Sequence, residues 1–156
     1  MVLLYTYYCI LELYKFVSAQ STISTAQSDT MPWNITAHAE LPIIETCYSG
    51  KLSKTELFAA ARETLSVGKE RSCTLFLGDC SNLDGAPSIF DLYSLAKEIS
   101  TSVYSHTLKE ALLMPKIPAF IENVNFWETI GRNRGFRVRV FRDRQMALDW
   151  LTGDQD

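Results

Sequence analysis

The stretch Cys73–Lys97, CTLFLGDCSNLDGAPSIFDLYSLAK, decides the fold of this chain. Its apolar run Thr74–Leu77 shows no alternation of apolar and polar residues, which is typical of a strand covered on both faces. We interpret the turn-forming residues of Cys80–Pro87 as a tight polar loop. Ser88 and Asp91 then predict the capped start of an amphipathic helix. This order predicts an α/β sheet, in which ligands and partners bind where a strand ends and its helix begins.

The segments on either side continue the alternation of strands and helices. Further strands are predicted over Asn34–Ala39, Ile43–Tyr48, Glu110–Met114 and Phe136–Phe141. The first two are close enough in sequence to form an antiparallel hairpin. The predicted order is β-β-α-β-α-β-α-β-α, an α/β fold with an N-terminal β-hairpin and an otherwise mostly parallel sheet.

Helix boundaries are signalled by capping residues. Ser53 and Glu56 match a capping box, and Gly68 is predicted to end that helix as a left-handed cap. We expect an irregular segment over 117–125, followed by a helix that Gly135 closes. Asp143 predicts the cap of the last helix.

The composition indicates one soluble globular domain with some additional chain. The 156 residues are 47% hydrophobic and 21% charged, with a net charge of −3, which is ordinary for a domain with a real core. Six of the 15 Lys and Arg residues fall between Arg132 and Arg144. Because the net charge is negative and no recognition motif is present, we expect no nucleic-acid partner.

Residues 1–30 differ in composition from the rest and are interpreted as an N-terminal extension, with the domain over 31–153. A signal peptide would need a positively charged start, which this segment lacks. Glu12 and Lys15 interrupt the apolar run too early for a membrane span. The third interpretation, narrowly favoured, is a non-native start with Met31 as the true first residue. We therefore expect a cytoplasmic protein without an integral membrane segment.

The residues that carry chemistry form no recognisable catalytic or metal-binding pattern. None of the four cysteines lies in a CxxC pair, and no histidine follows at zinc-ligand spacing. No nucleophile–base set, paired carboxylates or glycine-rich phosphate loop is present. We expect no metal, no cofactor and no enzymatic activity.

Three features resemble one known family over roughly residues 33–151. They are Gly50 after the second strand, the segment LFLGDCSNLDG, and the tail NRGFRVRVFRDRQMALDWL that starts at Asn133. Together they resemble the STAS group, and most closely its SpoIIAA-like branch, often labelled STAS/SEC14. The resemblance implies a regulatory or binding module, and some members of the family are thought to bind lipids or other small apolar molecules.

One position departs from the family pattern. In classical STAS antagonists a serine in an Asp-Ser-Ser-Gly motif is phosphorylated by a partner kinase. Here Asp84 aligns with the aspartate, while Gly85 and Ala86 replace the two serines. The acceptor hydroxyl is absent at the matching position, so a phosphorylation switch is not expected.

Two candidate binding sites follow. The first is a partner- or ligand-binding loop beside a helix N-terminus, consisting of Asp79, Ser81, Asp84, Gly85 and Ser88. Its acidic residues favour a protein partner, another protein or a second copy in a homodimer, while the alternative is a plain β–α turn. The second is an apolar pocket for a small ligand or lipid between sheet and helices, with Phe90, Phe120 and Trp127, although such aromatics are more often core.

Overall fold

The computed structural model describes residues 31–104 and 106–153, so the predicted extension 1–30 lies outside the described residues. The strands are β1 (Trp33–Ala37), β2 (Ile43–Lys51), β3 (Leu75–Gly85), β4 (Lys109–Leu113) and β5 (Arg137–Phe141). The helices are α1 (Lys54–Glu70), α2 (Ile89–Ile99), α3 (Ile121–Asn133) and α4 (Arg144–Thr152), with a 3-10 turn at Pro118–Phe120. In the described part of the chain, no helix is both long and apolar enough to cross a membrane.

The five strands form one sheet in the order β1-β2-β3-β4-β5. The hairpin partners β1 and β2 are antiparallel, and every other neighbouring pair is parallel. The predicted α/β architecture, with its N-terminal hairpin, is therefore confirmed.

Adjacent residues of the central strands belong to opposite faces of the sheet. Phe76 packs with the helices α1, α2 and α3, whereas Leu77 packs with α4 on the other face. Ala111 and Leu112 divide in the same way. Since both faces are covered, the strands need apolar residues at successive positions, which explains the run that the sequence shows.

Three predicted caps are confirmed. Ser53 with Glu56 and Ser88 with Asp91 both form complete capping boxes, at the starts of α1 and α2. Asp143 accepts a hydrogen bond from the backbone N–H of Met146 at the start of α4. These bonds satisfy backbone donors that the first helical turn leaves free, so local polar sequence fixes where these three helices begin.

The predicted loop over Cys80–Pro87 is wrong for most of its length. Residues 80–85 continue β3, because β2 runs on to Lys51 and offers them a parallel partner. The pairing skips at two places, where β3 has one residue more than β2: around Cys80 and Ser81, and at Asp84. The turn-forming residues of this segment are thus accommodated as β-bulges rather than as a loop.

Two helix boundaries also differ from prediction. Gly68 lies inside α1 and is buried, and a Cβ there would approach Phe76 Cζ to 2.7 Å. It therefore permits close helix–sheet contact instead of ending the helix. The segment predicted as irregular becomes helical from Ile121, where Phe120 supplies no side-chain cap, so the sequence carried no start signal. Gly135 follows α3 with φ +85°, as predicted for its closing residue.

Candidate ligand-binding site

An apolar chamber of about 100 Å³ lies between the sheet and the three helices α1, α2 and α3. Each helix contributes a buried side chain to its wall: Leu57, Leu92 and Val124. Phe76 and Leu112 line it from the sheet. A cavity of about 150 Å³ holds benzene, so this chamber matches a molecule slightly smaller than benzene.

The seam between α1 and α2 is bridged at the surface by ion pairs. Lys54 lies 3.4 Å from Asp91, and Arg62 lies 2.8 Å from Glu98. Exposed pairs of this kind contribute about 0–1 kcal/mol. Beneath them, the half-buried Ala61 of α1 lines the chamber. These ion pairs therefore add little to the stability of the contact between α1 and α2.

Gly78 of β3 forms part of the chamber floor. A Cβ placed on it would lie 2.6 Å from Leu112 Cδ2, 3.7 Å from Glu110 Oε1 and 3.8 Å from Tyr48 Cε2. The Leu112 side chain already occupies the place that a side chain at this position would take. The glycine therefore lets Leu112 pack closely against β3, a central strand of the sheet.

Polar groups are few, and most of them are hydrogen-bonded to one another. Thr46 Oγ1 and Thr64 Oγ1 lie 2.7 Å apart and join β2 to α1. Asn123 Nδ2 donates to the carbonyl oxygen of Pro87 across 2.8 Å, which holds α3 against the β3–α2 connection. A mostly apolar cavity with a small number of placed polar groups is the usual character of a small-molecule site.

Glu110 is the carboxyl group of the chamber. Trp127 Nε1 donates a hydrogen bond to its Oε2 across 2.8 Å, and among the described residues its Oε1 has no hydrogen-bond partner. Burial raises the pKa of Glu110 to about 7, although the bond from Trp127 opposes the rise. The side chain keeps some accessible surface. Because β4 is an interior strand and α3 packs over this face, that surface faces the chamber.

The other titratable groups of the chamber are neutral near pH 7. Burial, followed by the nearby Glu110, raises the pKa of Tyr48 well above its ordinary value. The same two causes raise the pKa of the Cys80 thiol above its ordinary value. Glu110 is thus the group of this chamber that changes charge in the physiological range.

Sequence reasoning did not single out Glu110 or Gly78. The available signal was a carboxylate inside the run Glu110–Met114, a strand otherwise composed of residues that are usually buried. An acidic residue at a position whose neighbours demand burial on both faces is a candidate for a perturbed pKa.

The predicted pocket residues are placed differently. Phe120 and Trp127 line the chamber, with Trp127 buried. Phe90 does not, because it lies on the outer face of α2 with 72% of its surface exposed. Its assignment to the pocket is wrong. The stripe of α2 that packs inward is Leu92, Leu95, Ala96 and Ile99, and Phe90 falls outside that stripe.

The residues of the predicted binding loop lie along the second half of β3 and at the start of α2. Asp79 Oδ1 accepts a hydrogen bond from the backbone N–H of Ser81 across 2.9 Å. Ser88 Oγ is engaged with Asp91 as the cap of α2. Asp84 is exposed and Gly85 lies against Lys51. The partner- or ligand-binding role predicted for these residues stays a prediction.

A second polar cluster, on the α4 side of the sheet, surrounds Glu45. Arg144 donates two hydrogen bonds to the Glu45 carboxylate, one of them 2.7 Å long, and His38 Nε2 lies 2.8 Å from Oε2. Burial alone would raise the pKa of Glu45, but the bonds from Arg144 and His38 outweigh it and leave that pKa below its ordinary value. The cluster ties β2 to α4.

Three side chains near this cluster, Glu45, Cys47 and Asp79, place ligand atoms within 4.8 Å of one another. Arg144 Nη1 already lies 2.7 Å from Glu45 and 3.8 Å from Asp79, where a metal cation would have to bind. Burial, with Glu45 next, raises the pKa of Cys47 to about 12, so its thiol is not the thiolate that metals prefer. We assign the cluster a structural role.

The chain was compared with family models, curated proteins and solved structures. No family model matches the chain, and no curated protein matches it in sequence. A solved structure, described as an uncharacterized protein from the DUF3478 family with a SpoIIAA-like fold from Shewanella loihica PV-4, is similar with a TM-score of 0.48 and 17% identity. The match covers 76% of this chain and 91% of that one. The similarity concerns the fold alone.

Proposed function

We propose that this chain is a non-enzymatic binding module that holds a small, mainly apolar molecule in the chamber between the sheet and α1, α2 and α3. The single observation that carries the proposal is the preformed cavity of about 100 Å³, which has a glycine floor and apolar walls. A closed protein core is normally packed to near crystal density. A cavity of this size costs stability unless a ligand fills it.

The size of the chamber limits the ligand. About 100 Å³ admits roughly four or five non-hydrogen atoms. A lipid acyl chain would require α1 and α2 to separate at their seam. The proposal therefore favours a compact molecule over a lipid.

A titration with cyclopentane, followed by methyl NMR of the full chain, tests this proposal. Cyclopentane should cause saturable shifts at the chamber methyl groups of Leu57, Leu92 and Leu112, and none at Leu151 on the other face of the sheet. Absence of saturable shifts up to the solubility of the probe would contradict the proposal.

Two matched variants control for unspecific effects. Ala61→Leu adds three carbons to α1 where it lines the chamber, and it should abolish the shifts. Ala59→Leu makes the same change two residues earlier, where the helix packs on the core without lining the chamber, and it should leave them intact. Equal effects of the two variants would also contradict the proposal.

A second candidate function is self-association through the outer face of α2. Ile89, Phe90 and Tyr93 are 49%, 72% and 45% exposed, and their spacing places them on neighbouring parts of one helical surface. We propose a second copy of the chain as the partner, since an apolar helix face can pair with itself across a two-fold axis. Light scattering tests it: a monomer at high concentration, or a dimer that Phe90→Ser leaves unchanged, would remove this candidate.

A further inference from the structure

We propose that the ligand of the chamber is a compact aliphatic amine, whose ammonium group binds Glu110 Oε1 while its hydrocarbon part contacts the apolar walls. This inference rests on the proposed function of the chamber and adds the chemical class of the ligand. It starts from the one carboxylate oxygen that the fold directs into the cavity without a partner among the described residues.

The two oxygens of Glu110 have different surroundings. Oε2 accepts the indole N–H of Trp127, which fixes the orientation of the carboxyl group. Oε1 has no such donor among the described residues, and Glu110 lines the chamber. A ligand donor inside the chamber can therefore bond to Oε1.

The chamber also contains hydroxyl oxygens. Thr46 and Thr64 line it and are hydrogen-bonded to each other, and a hydroxyl oxygen keeps further acceptor capacity. An ammonium group with three N–H donors therefore has acceptors in the chamber besides Glu110.

Charge selects the cation over other polar ligands. Among the titratable groups that face Glu110, Tyr48 on β2 and Cys80 on β3 remain neutral near pH 7, because burial and the Glu110 charge raise the pKa of each. The element packed over this side, α3, presents the uncharged indole of Trp127. The ionised chamber thus carries one uncompensated negative charge. An anionic ligand would be repelled, whereas an ammonium would neutralise that charge.

The binding of an amine is expected to be linked to the proton on Glu110. An alkylammonium keeps its charge up to about pH 10, so the ligand does not titrate where Glu110 does. Below pH 7 the ammonium must displace the proton that Glu110 holds, because burial raises the pKa of this carboxyl to about 7. Amine affinity should therefore rise about tenfold between pH 6 and pH 8, whereas the affinity of a neutral isostere should not rise.

Three isosteric probes test the inference on the full chain: isobutylamine, isobutanol and isobutyrate. By calorimetry at about pH 8 the amine should bind at least tenfold more tightly than either of the others, as a charge-assisted bond predicts. Glu110→Gln keeps the acceptor for Trp127 and should weaken the amine about tenfold while leaving isobutanol within about threefold. Glu70→Gln, at an exposed position on α1, is the matched control and should change neither.

The outcomes separate this inference from the function on which it rests. If cyclopentane binds in the chamber but the amine shows no preference over isobutanol, the ligand class is wrong and the binding function stands. If neither cyclopentane nor the amine binds, both are wrong. If Glu110→Gln fails to fold, the pH series on the unaltered chain decides, because amine affinity that does not rise with pH would overturn the inference.

Discussion

Trp127 Nε1 donates a hydrogen bond to Glu110 Oε2 across 2.8 Å, beneath three helices and above the middle of the sheet. The indole and the carboxyl group come from α3 and β4, 17 residues apart in the chain. Burial removes the water molecules that would hydrogen-bond to this carboxyl group, and the single bond from Trp127 does not replace them. This pair therefore makes the stability of the fold and the chemistry of the chamber depend on one proton.

The first prediction concerns pH and stability. The pKa of Glu110 is raised from its ordinary 4.5 to about 7, so the folded protein binds a proton more tightly than the unfolded chain does. The resulting stability is fully present below about pH 4.5 and is lost as the pH rises through 7. The loss amounts to roughly 3 kcal/mol. Urea unfolding of the wild type between these pH values should show this decline.

Glu110→Gln should remove that decline, since an amide does not titrate, and its free energy of unfolding should exceed that of the wild type at about pH 8. Glu70→Gln should keep the wild-type profile, because this glutamate is exposed. A wild-type profile parallel to that of Glu110→Gln would show that the carboxyl is not desolvated.

The second prediction concerns the indole. The hydrogen bond from Trp127 lowers the pKa of Glu110 against the effect of burial. Trp127→Phe removes the donor and should move that pKa further up, as carboxyl ¹³C NMR would record. Trp150→Phe is the matched control, because the Trp150 Nε1 is buried and has no hydrogen-bond partner among the described residues. An unchanged Glu110 pKa in Trp127→Phe would contradict the described contact.

The third prediction concerns Gly68. A Cβ at this position would lie 2.7 Å from Phe76 Cζ and 3.1 Å from the carbonyl oxygen of Cys73. Gly68→Ala should therefore destabilise the protein by about 1–3 kcal/mol through overpacking, although alanine is the better helix former. Ser66→Ala, on the exposed side of the same helix, should change the free energy of unfolding by less than about 0.5 kcal/mol. A more stable Gly68→Ala would indicate that α1 does not approach Phe76 so closely.

The fourth prediction concerns the cluster around Glu45. Arg144→Met keeps the apolar stem but removes both hydrogen bonds to the buried Glu45 carboxylate. We expect a loss of about 1–3 kcal/mol near pH 7. Because the lowered pKa of Glu45 stabilises the fold only while the carboxyl is ionised, the difference from wild type should shrink on acidification below about pH 4.5. Denaturant titrations at neutral and acid pH measure the difference in free energy of unfolding between variant and wild type. A difference that does not change with pH would contradict the ion pair between Arg144 and Glu45.

The sequence predicted the elements that local chemistry decides. The capping boxes at Ser53 and Ser88 and the cap at Asp143 define helix starts through bonds within three residues, so no tertiary information was needed. The apolar run at Thr74–Leu77 likewise predicted a strand covered on both faces, because a strand buried on both faces needs apolar residues at successive positions.

The features that the sequence did not predict depend on contacts between residues far apart in the chain. Residues 80–85 have the composition of a turn, but a parallel partner strand 33 or 34 residues away in sequence holds them extended. Gly68 carried a helix-ending signal that a close approach to Phe76 overrode. Gly78 and Glu110 escaped notice for the same reason, since they become neighbours only when β3 and β4 pair.

The most direct test of the central claim is to locate a bound probe. Intermolecular NOEs from cyclopentane at saturation should reach the methyl groups of Leu57, Leu92 and Leu112, which line the chamber. They should not reach Leu113 or Leu151 on the opposite face of the sheet. NOEs confined to the first group are the result that the account predicts. NOEs to the opposite face, or none at saturating probe, would contradict it.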